Sequence, residues 1–174
     1  IFYGEYKHDA RYPLYIISLS CSFELKEGKI PTIQIKDSPY YGPTEYVETT
    51  NGAIERLILT NVDYEMFVEN YNIENIQFNG GDKFKAYNDL FKNYMEYWNN
   101  LKVKSKVNGN KSLMVASKKM MNALYGRFGV KAKNALKSPY KTADGMVHFK
   151  TYMGRDRRNS YTPVALFTTA YGRQ

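Results

Sequence analysis

The sequence predicts an α+β protein, and three observations predict this class. Residues 15–25 alternate between apolar and polar side chains, which is the pattern of a half-buried strand. Asn51-Gly52 lies between two apolar segments, as is typical of a type I′ β-hairpin. From Phe84 to Leu101, apolar and aromatic residues recur at steps of three and four, the period of an amphipathic helix.

The first third of the chain is predicted to form mainly antiparallel sheet. After the alternating strand, Glu27-Gly28 supplies a turn into a second strand over residues 30–35. The Asn51-Gly52 hairpin then joins residues 46–47 to a strand over residues 54–59.

Two helical elements are predicted to follow the sheet. Thr60 with Asp63 fits a capping box at the start of a short helix that closes the apolar side of the sheet. Asn79-Gly80-Gly81 is predicted to break the chain before the long amphipathic helix. The basic segment 102–110 then joins that helix to another beginning near Lys111, so the pair forms a helical hairpin with a positive tip.

The last third is predicted to contain a small β-hairpin and a final helix. Asp144-Gly145 marks a turn between residues 140–141 and a strand over residues 147–152. Thr162-Pro163 fits an N-cap followed by proline at the first helical position, which predicts a helix that continues to the end of the sequence.

Charge is distributed unevenly along the chain. Residues 1–82 contain 6 Lys/Arg and 13 Asp/Glu, a net charge of −7, whereas residues 83–174 contain 19 and 4, a net charge of +15. A basic surface of this kind favours phosphate binding, because each neutralised phosphate releases condensed counterions. The acidic half is better suited to a protein partner. Ordinary solubility is the alternative explanation of the asymmetry.

Several functional classes are disfavoured by the residues present. His8 and His148 are the only histidines, and Cys21, the single cysteine, completes no zinc-ligand spacing with either. The same shortage argues against a Ser-His-Asp or Cys-His centre. One cysteine excludes an internal disulfide and is compatible with a reducing cytoplasm. No apolar run approaches the roughly 18 residues of a membrane span, so no membrane role is expected.

The second helix of the hairpin is predicted to have one packing face and one chemically active face. The packing face would carry Leu113, Ala116, Met120, Leu124 and Phe128. Lys111, Lys118, Asn122 and Tyr125 cluster on another side, within about 60° of arc. Ammonium, amide and phenol groups together match a triphosphate, a ribose and a base edge. A solvated helix face is the alternative interpretation.

Residues 118–126 (Lys-Lys-Met-Met-Asn-Ala-Leu-Tyr-Gly) resemble the K-x-x-x-N-[S/A]-x-Y-G signature in the fingers of family B DNA polymerases. Residues 30–36, with 84–86 and 90–92, resemble the first terminal-protein-region insertion of polymerases that start DNA on a protein hydroxyl. Tyr161-Thr162-Pro163 followed by residues 169–173 is similar to the T-x-x-G-R element of the palm, and residues 130–158 resemble the second insertion.

On this resemblance, the chain is identified as a member of the protein-primed family B DNA polymerases of bacteriophage type. Because its first residue is Ile1 rather than Met, we expect it to be an internal piece of a longer protein. The resemblance implies four regions: the terminal-protein-region insertion at 1–88, the fingers at 89–129, the second insertion hairpin at 130–158 and the start of the palm at 159–174.

The resemblance also implies roles for individual residues. Lys118 and Lys106 would contact the incoming triphosphate, although Lys104 is an alternative to Lys106 after a small shift in register. Asn122 and Tyr125 would shape the nucleotide pocket, and Gly126 would let the template strand approach closely. The DNA-binding residues would be Arg127, Thr169 and Arg173, the last two holding the primer strand. Ala123 departs from the serine that many members carry.

The implied partners are primer-template DNA, a deoxynucleoside triphosphate and a terminal protein, in the cytoplasm of an infected bacterial host. Polymerisation of this kind uses two divalent ions, Mg²⁺ or Mn²⁺, held by carboxylates. The D-x-x-S-L-Y-P and Y-x-D-T-D motifs that supply them are not in this chain, so we expect no catalytic or metal-binding residue here and an inactive isolated fragment.

Two further expectations complete the sequence-based interpretation. The acidic residues Asp63, Glu65, Glu45 and Glu48 are expected to be solvated surface rather than part of a site. A noncatalytic nucleic-acid-binding module remains the alternative function, since it would need only the basic half of the chain.

Overall fold

The computed structural model describes residues 1–36, 38–42, 44–129, 135–153 and 161–174. The described residues form antiparallel strands and helices, which confirms the predicted α+β class. The elements in chain order are β1 (Leu14–Leu25), β2 (Glu55–Thr60), α1 (Asn61–Asn70), β3 (Tyr71–Phe84), α2 (Lys92–Val107), α3 (Lys111–Phe128), β4 (Ala135–Lys141), β5 (Val147–Met153) and α4 (Thr162–Arg173). They divide into a first unit, Ile1–Leu90 with Thr169–Gln174, and a second unit, Phe91–Thr168.

The first unit is built on a three-stranded antiparallel sheet in the order β2-β1-β3. Strand β1 follows the predicted alternation, because its odd positions point into the core. Four of these residues, Ile17, Leu19, Cys21 and Phe23, are at most 3% exposed. Phe67 of α1 packs edge-on against Phe23, with ring centroids 5.2 Å apart, so the helix closes the apolar side of the sheet as predicted.

The segment predicted as a second strand, residues 30–35, lies outside the named strands, so this prediction was wrong. Its backbone groups bond elsewhere. The Thr32 and Ile33 amides donate to the Tyr71 hydroxyl, at 2.9 and 3.3 Å, and the Ile33 carbonyl accepts from Val47 N at 2.8 Å. A tyrosine hydroxyl from β3 therefore takes the place of a neighbouring strand.

The turn at Asn51-Gly52 is present, but it does not connect two paired strands as predicted. Both residues have positive φ, 50° and 80°, and Ala53 N donates to Thr50 O at 2.9 Å, as in a type I′ turn. Strand β2, which follows the turn, pairs with β1. The predicted hairpin was wrong because the long central strand offers β2 a more extensive partner.

Strand β3 continues through Asn79-Gly80-Gly81, where a chain break was predicted, although its register with β1 shifts at Asn79. A Cβ atom on Gly81 would lie 1.9 Å from the Ile16 carbonyl oxygen, and one on Gly80 would lie 2.4 Å from the Phe2 carbonyl oxygen. The two glycines therefore let neighbouring backbones approach β3. The amphipathic helix was predicted to begin near Phe84, but this residue is the last of β3. Helix α2 begins later, at Lys92.

The second unit contains the helical hairpin of α2 and α3. Helix α2 continues to Val107, so the predicted basic linker over residues 102–110 was mostly wrong and only residues 108–110 form the loop. The helices are joined by the Tyr94 hydroxyl, which donates to the Met120 carbonyl at 2.8 Å, and by contact of Phe91 with Phe128 at 5.4 Å between centroids.

The packing face of α3 differs from the predicted one. Leu113 and Met120 are exposed, at 37% and 40%, whereas Ser117 is fully buried. Its hydroxyl donates to the Leu113 carbonyl of the same helix at 2.8 Å. A small side chain whose polar atom is satisfied within its own helix can lie at a helix contact without an unpaired group, which the hydrophobic pattern did not reveal.

The second unit also contains the predicted β-hairpin and most of α4. Strands β4 and β5 pair antiparallel from Ala135 with Met153 to Lys141 with Val147, around the predicted turn at Asp144-Gly145. Of the region predicted as the second insertion, residues 130–134 and 154–158 lie outside the described residues. Helix α4 begins at Thr162, one residue before Pro163, the predicted first helical position. Within the described residues, the helices lack the length and apolarity needed to cross a membrane.

Candidate nucleotide- and DNA-binding site

Four of the predicted nucleotide-binding residues lie on one exposed side of α3. Successive helical residues turn by about 100°, so Lys118, Asn122 and Tyr125 fall within an arc of about 60°, with Gly126 beside Asn122. All four are exposed. A Cβ atom on Gly126 would meet nothing within 4 Å, so the backbone there is open to an approaching strand. We call this group of four residues the α3 face.

The position of the α3 face is determined by a tight connection at the start of the helix. The Asn110 side chain accepts from Leu113 N at 3.0 Å and caps α3. Gly109 adopts a positive φ of 69°, which allows the chain to reverse between the two helices. The Asn110 amide donates to the Ser105 carbonyl at 2.8 Å, so the loop is bonded to the end of α2.

Lys106 lies at the loop end of the hairpin rather than on the α3 face. It is exposed in the last turn of α2, where its positive charge is favourable beside the carbonyl end of the helix. Lys104 is exposed in the same turn. Both lysines therefore present an exposed ammonium group at the loop end of α2.

Arg127 is not brought together with the α3 face. It is exposed, but it lies nine positions after Lys118, which corresponds to a rotation of about 180° around the helix axis. Arg127 therefore lies on the opposite side of α3 from Lys118.

Thr169 and Arg173 lie one turn apart on α4, so they share a side of that helix. Arg173 forms an ion pair, since its Nη2 atom lies 2.6 Å from Oδ1 of Asp63 at the start of α1. Both residues belong to the first unit. The side chain of Arg173 is 45% exposed, whereas that of Asp63 is only 15% exposed.

The expectation that Asp63 is solvated surface was therefore wrong. Its carboxylate is mostly buried because it bonds to Arg173 and also accepts from the Thr60 hydroxyl, at 2.9 Å, on its other oxygen. The capping-box pattern did locate the bond to Thr60, but nothing local in the sequence indicated a partner in α4. Glu45, Glu48 and Glu65 are exposed, as predicted.

Among the residues that the structure describes, the acidic side chains do not form a two-metal centre. Within the described ranges, no three His, Cys, Asp or Glu side chains converge as a group that could hold a metal ion. Both oxygens of Asp63, the mostly buried carboxylate that contacts the predicted site residue Arg173, are already bonded. The donor set therefore does not fit the divalent ions of a polymerase, and no catalytic step is assigned to these residues.

Comparison with known proteins gives the same family over the whole chain. The family model described as "DNA polymerase type B, organellar and viral" matches residues 1–174. The DNA polymerase of Bacillus phage phi29 is 39% identical over 173 residues, which are 99% of this chain and 29% of that protein. The DNA polymerase of Streptococcus phage Cp-1 is 33% identical over 164 residues, covering 91% of this chain and 28% of that protein.

Solved structures support the same assignment. Phi29 DNA polymerase complexed with primer-template DNA and incoming nucleotide substrates has a TM-score of 0.86 and 39% identity, and the match covers 99% of this chain and 29% of the phi29 chain. The same polymerase complexed with single-stranded DNA has a TM-score of 0.81 and 37% identity, covering 99% and 28%. This chain thus spans less than a third of the polymerases that it matches. It belongs to the type B DNA polymerase family of organelles and viruses.

Proposed function

We propose that this chain is part of a protein-primed, DNA-directed DNA polymerase, in which it binds the incoming deoxynucleoside triphosphate, holds the primer-template and docks a terminal protein. The observation that carries this proposal is the α3 face. Lys118, Asn122, Tyr125 and Gly126 lie together and exposed on one well-capped helix, in the spacing of the polymerase fingers signature.

The groups on the α3 face suit a nucleotide. The Lys118 ammonium is a point-charge ligand for a triphosphate, and Lys106 at the loop end of α2 would add a second positive charge. Asn122 offers one amide acceptor and two donors, and the Tyr125 ring gives an apolar surface with a hydroxyl at its tip. Gly126 presents bare backbone to the template strand.

The DNA-binding part of the proposal rests on Thr169, Arg173 and Arg127. A guanidinium group binds phosphate through a fork of parallel donors, and a threonine hydroxyl one helical turn away can bond the next phosphate oxygen. The +15 charge of residues 83–174 would draw the DNA backbone to this half of the chain. Phi29 polymerase, 39% identical, was solved with primer-template DNA and incoming nucleotides, which supports this assignment by similarity.

The remaining parts of the proposal concern the whole protein. DNA polymerases use divalent metal ions, and we propose Mg²⁺ or Mn²⁺ held by carboxylates outside this chain. The region boundaries at residues 88, 129 and 158 stay a prediction. Because the relatives are phage polymerases, we place the protein in the cytoplasm of an infected bacterial host.

Terminal-protein docking is proposed for the acidic first unit. Residues 30–36 carry the resemblance to the terminal-protein-region insertion, and Tyr71 anchors them to the core through its hydroxyl. A surface of net charge −7 over residues 1–82 repels DNA and is free to contact a protein.

The test separates nucleotide binding from primer binding in the full-length protein. We expect Lys118→Ala to raise the KM for the nucleotide about tenfold or more, with primer-template affinity changed less than about twofold. Lys119→Ala is the matched control, because it removes the same charge from the neighbouring position, about 100° around α3 from Lys118. Arg173→Ala should instead weaken primer-template binding and lower the slope of log affinity against log salt by about one. Equal loss of both properties in both variants would refute the division of roles.

A further inference from the structure

In the ion pair between Arg173 and Asp63, hydrogen bonds fix the position of the Asp63 side chain, whereas the long Arg173 side chain can change its orientation. Asp63 is the third residue of α1, and its backbone amide donates to the Thr60 hydroxyl at 3.2 Å. The same hydroxyl donates to Oδ2 of Asp63 at 2.9 Å. Thr60 thus holds Asp63 at both its backbone amide and its carboxylate, while the long Arg173 side chain is 45% exposed.

With respect to the residues that the structure describes, the geometry leaves part of the guanidinium group available for another anion. Arg173 uses Nη2 to contact Oδ1 of Asp63, whereas Oδ2 is bonded to Thr60. A guanidinium group has five N–H donors, so a contact with one carboxylate oxygen leaves donors for a phosphate. A bidentate pair with Asp63 would have occupied a whole edge of the group.

We propose that Asp63 is a positioning residue, which holds the Arg173 guanidinium in the orientation that receives a phosphate of the primer strand. This inference rests on the proposed function of Arg173. The Arg173 side chain is 45% exposed, so solvent screens its charge and reduces what the pair contributes to folding stability; stability alone does not account for it. Ordering a long side chain before DNA arrives removes part of the entropic cost of binding.

The alternative is that Asp63 competes with the phosphate for Arg173. The two possibilities predict opposite signs. If the carboxylate competes, removing its charge frees the guanidinium and tightens DNA binding. If it positions the guanidinium, removing its charge weakens binding, even though the protein becomes more positive by one unit.

The experiment measures binding of the full-length protein to labelled primer-template DNA over a salt series. Asp63→Asn keeps the shape and an acceptor oxygen for Thr60, and we expect it to weaken binding by about 3- to 10-fold. Arg173→Ala should weaken binding at least as much. The double variant should bind like Arg173→Ala alone, because Asp63 has no effect without the guanidinium. Asp63→Glu should restore part of the loss.

Two controls distinguish positioning from general effects. Glu65→Gln removes one negative charge from the same helix at an exposed position, and we expect less than a twofold change in binding. The KM for the nucleotide should stay within about twofold in Asp63→Asn, whereas general unfolding would impair both properties together. Thermal unfolding followed by circular dichroism then verifies that each variant is folded.

The outcomes separate this inference from the proposed function. Tighter or unchanged DNA binding in Asp63→Asn, while Arg173→Ala weakens it, would overturn the positioning role and leave the DNA-binding role of Arg173 intact. Additive losses in the double variant would also overturn it. If Arg173→Ala leaves binding and its salt slope unchanged, the proposed role of Arg173 is wrong and the positioning role is excluded with it.

Discussion

Replacing Tyr71 with phenylalanine tests how the segment proposed to dock a terminal protein is held. Tyr71 is 1% exposed, and its hydroxyl is a hydrogen-bonding centre in the core of the first unit. It accepts from Thr32 N at 2.9 Å and Ile33 N at 3.3 Å, and donates to Val47 O at 2.9 Å. Phenylalanine keeps the ring that packs against Phe23 and Phe67 and removes only this centre.

The expected loss follows from the groups left behind. The substitution leaves two amides and one carbonyl without the partner seen here, and each buried unsatisfied group costs about 1–3 kcal/mol. The bond to Ile33 is long, at 3.3 Å, and the bond to Thr32 is only partly buried, so each of the three groups is expected to cost near the lower end of this range. We therefore expect a decrease of about 3 kcal/mol in the free energy of unfolding.

Urea unfolding followed by far-ultraviolet circular dichroism measures this decrease, and hydrogen exchange of the Thr32 and Ile33 amides locates it. Tyr41→Phe is the matched control, because the hydrogen bond that the Tyr41 hydroxyl forms to the described residues is a long one, 3.5 Å to the Thr49 carbonyl. A loss below about 0.5 kcal/mol in Tyr71→Phe, with exchange at Thr32 and Ile33 unchanged, would refute the reasoning.

Three further substitutions or measurements test the first unit. Gly81→Ala should disrupt β1–β3 pairing and lower the melting temperature strongly, because the new Cβ would lie 1.9 Å from the Ile16 carbonyl oxygen. Gly172→Ala is the control and should leave the melting temperature unchanged, since its Cβ would meet nothing within 4 Å. Equal melting temperatures of the two variants would contradict this. Burial raises the pKa of the Cys21 thiol to about 11, so alkylation at pH 8 should be at least about 100-fold slower in the folded protein than in urea, and comparable rates would exclude a buried thiol. The pKa of Tyr15 is raised to about 12 in the folded state, mainly by burial. The Tyr15 hydroxyl therefore keeps its proton in the folded protein at a pH, from about 10, where the unfolded chain loses it. The free energy of unfolding should therefore fall as pH rises from about 10 to 12. It should fall less steeply in Tyr15→Phe than in the exposed control Tyr3→Phe. Identical pH profiles of the two variants would contradict a raised pKa of Tyr15.

Local patterns in the sequence predicted local structure well. The Thr60 and Asp63 cap, the turn at Asp144-Gly145 and the start of α4 at Thr162 each depend on residues within a few positions of one another. The α3 face was predictable for the same reason, because helical periodicity alone brings Lys118, Asn122 and Tyr125 together.

Contacts between distant segments were not predictable from such patterns. Gly80-Gly81 has the sequence pattern of a chain break, but in the structure the backbones of Phe2 and Ile16 approach these glycines closely. Phe2 and Ile16 are distant in sequence, so the local pattern did not indicate this contact. Ser117 resembles a surface residue of α3, although it is fully buried. Arg173 and Asp63 are 110 positions apart, so no local signal could have paired them.

The measurement that tests the central claim most directly is primer extension by the full-length protein that contains this chain. Labelled deoxynucleotides, primer-template DNA and Mg²⁺ are supplied, and a parallel reaction contains the 174-residue chain alone. We predict extension by the full-length protein, loss of efficiency at low nucleotide concentration in Lys118→Ala, and no extension by the isolated chain. A folded full-length protein that binds the DNA but adds no nucleotide, with Mg²⁺ or with Mn²⁺, would contradict the account and favour a noncatalytic nucleic-acid-binding module.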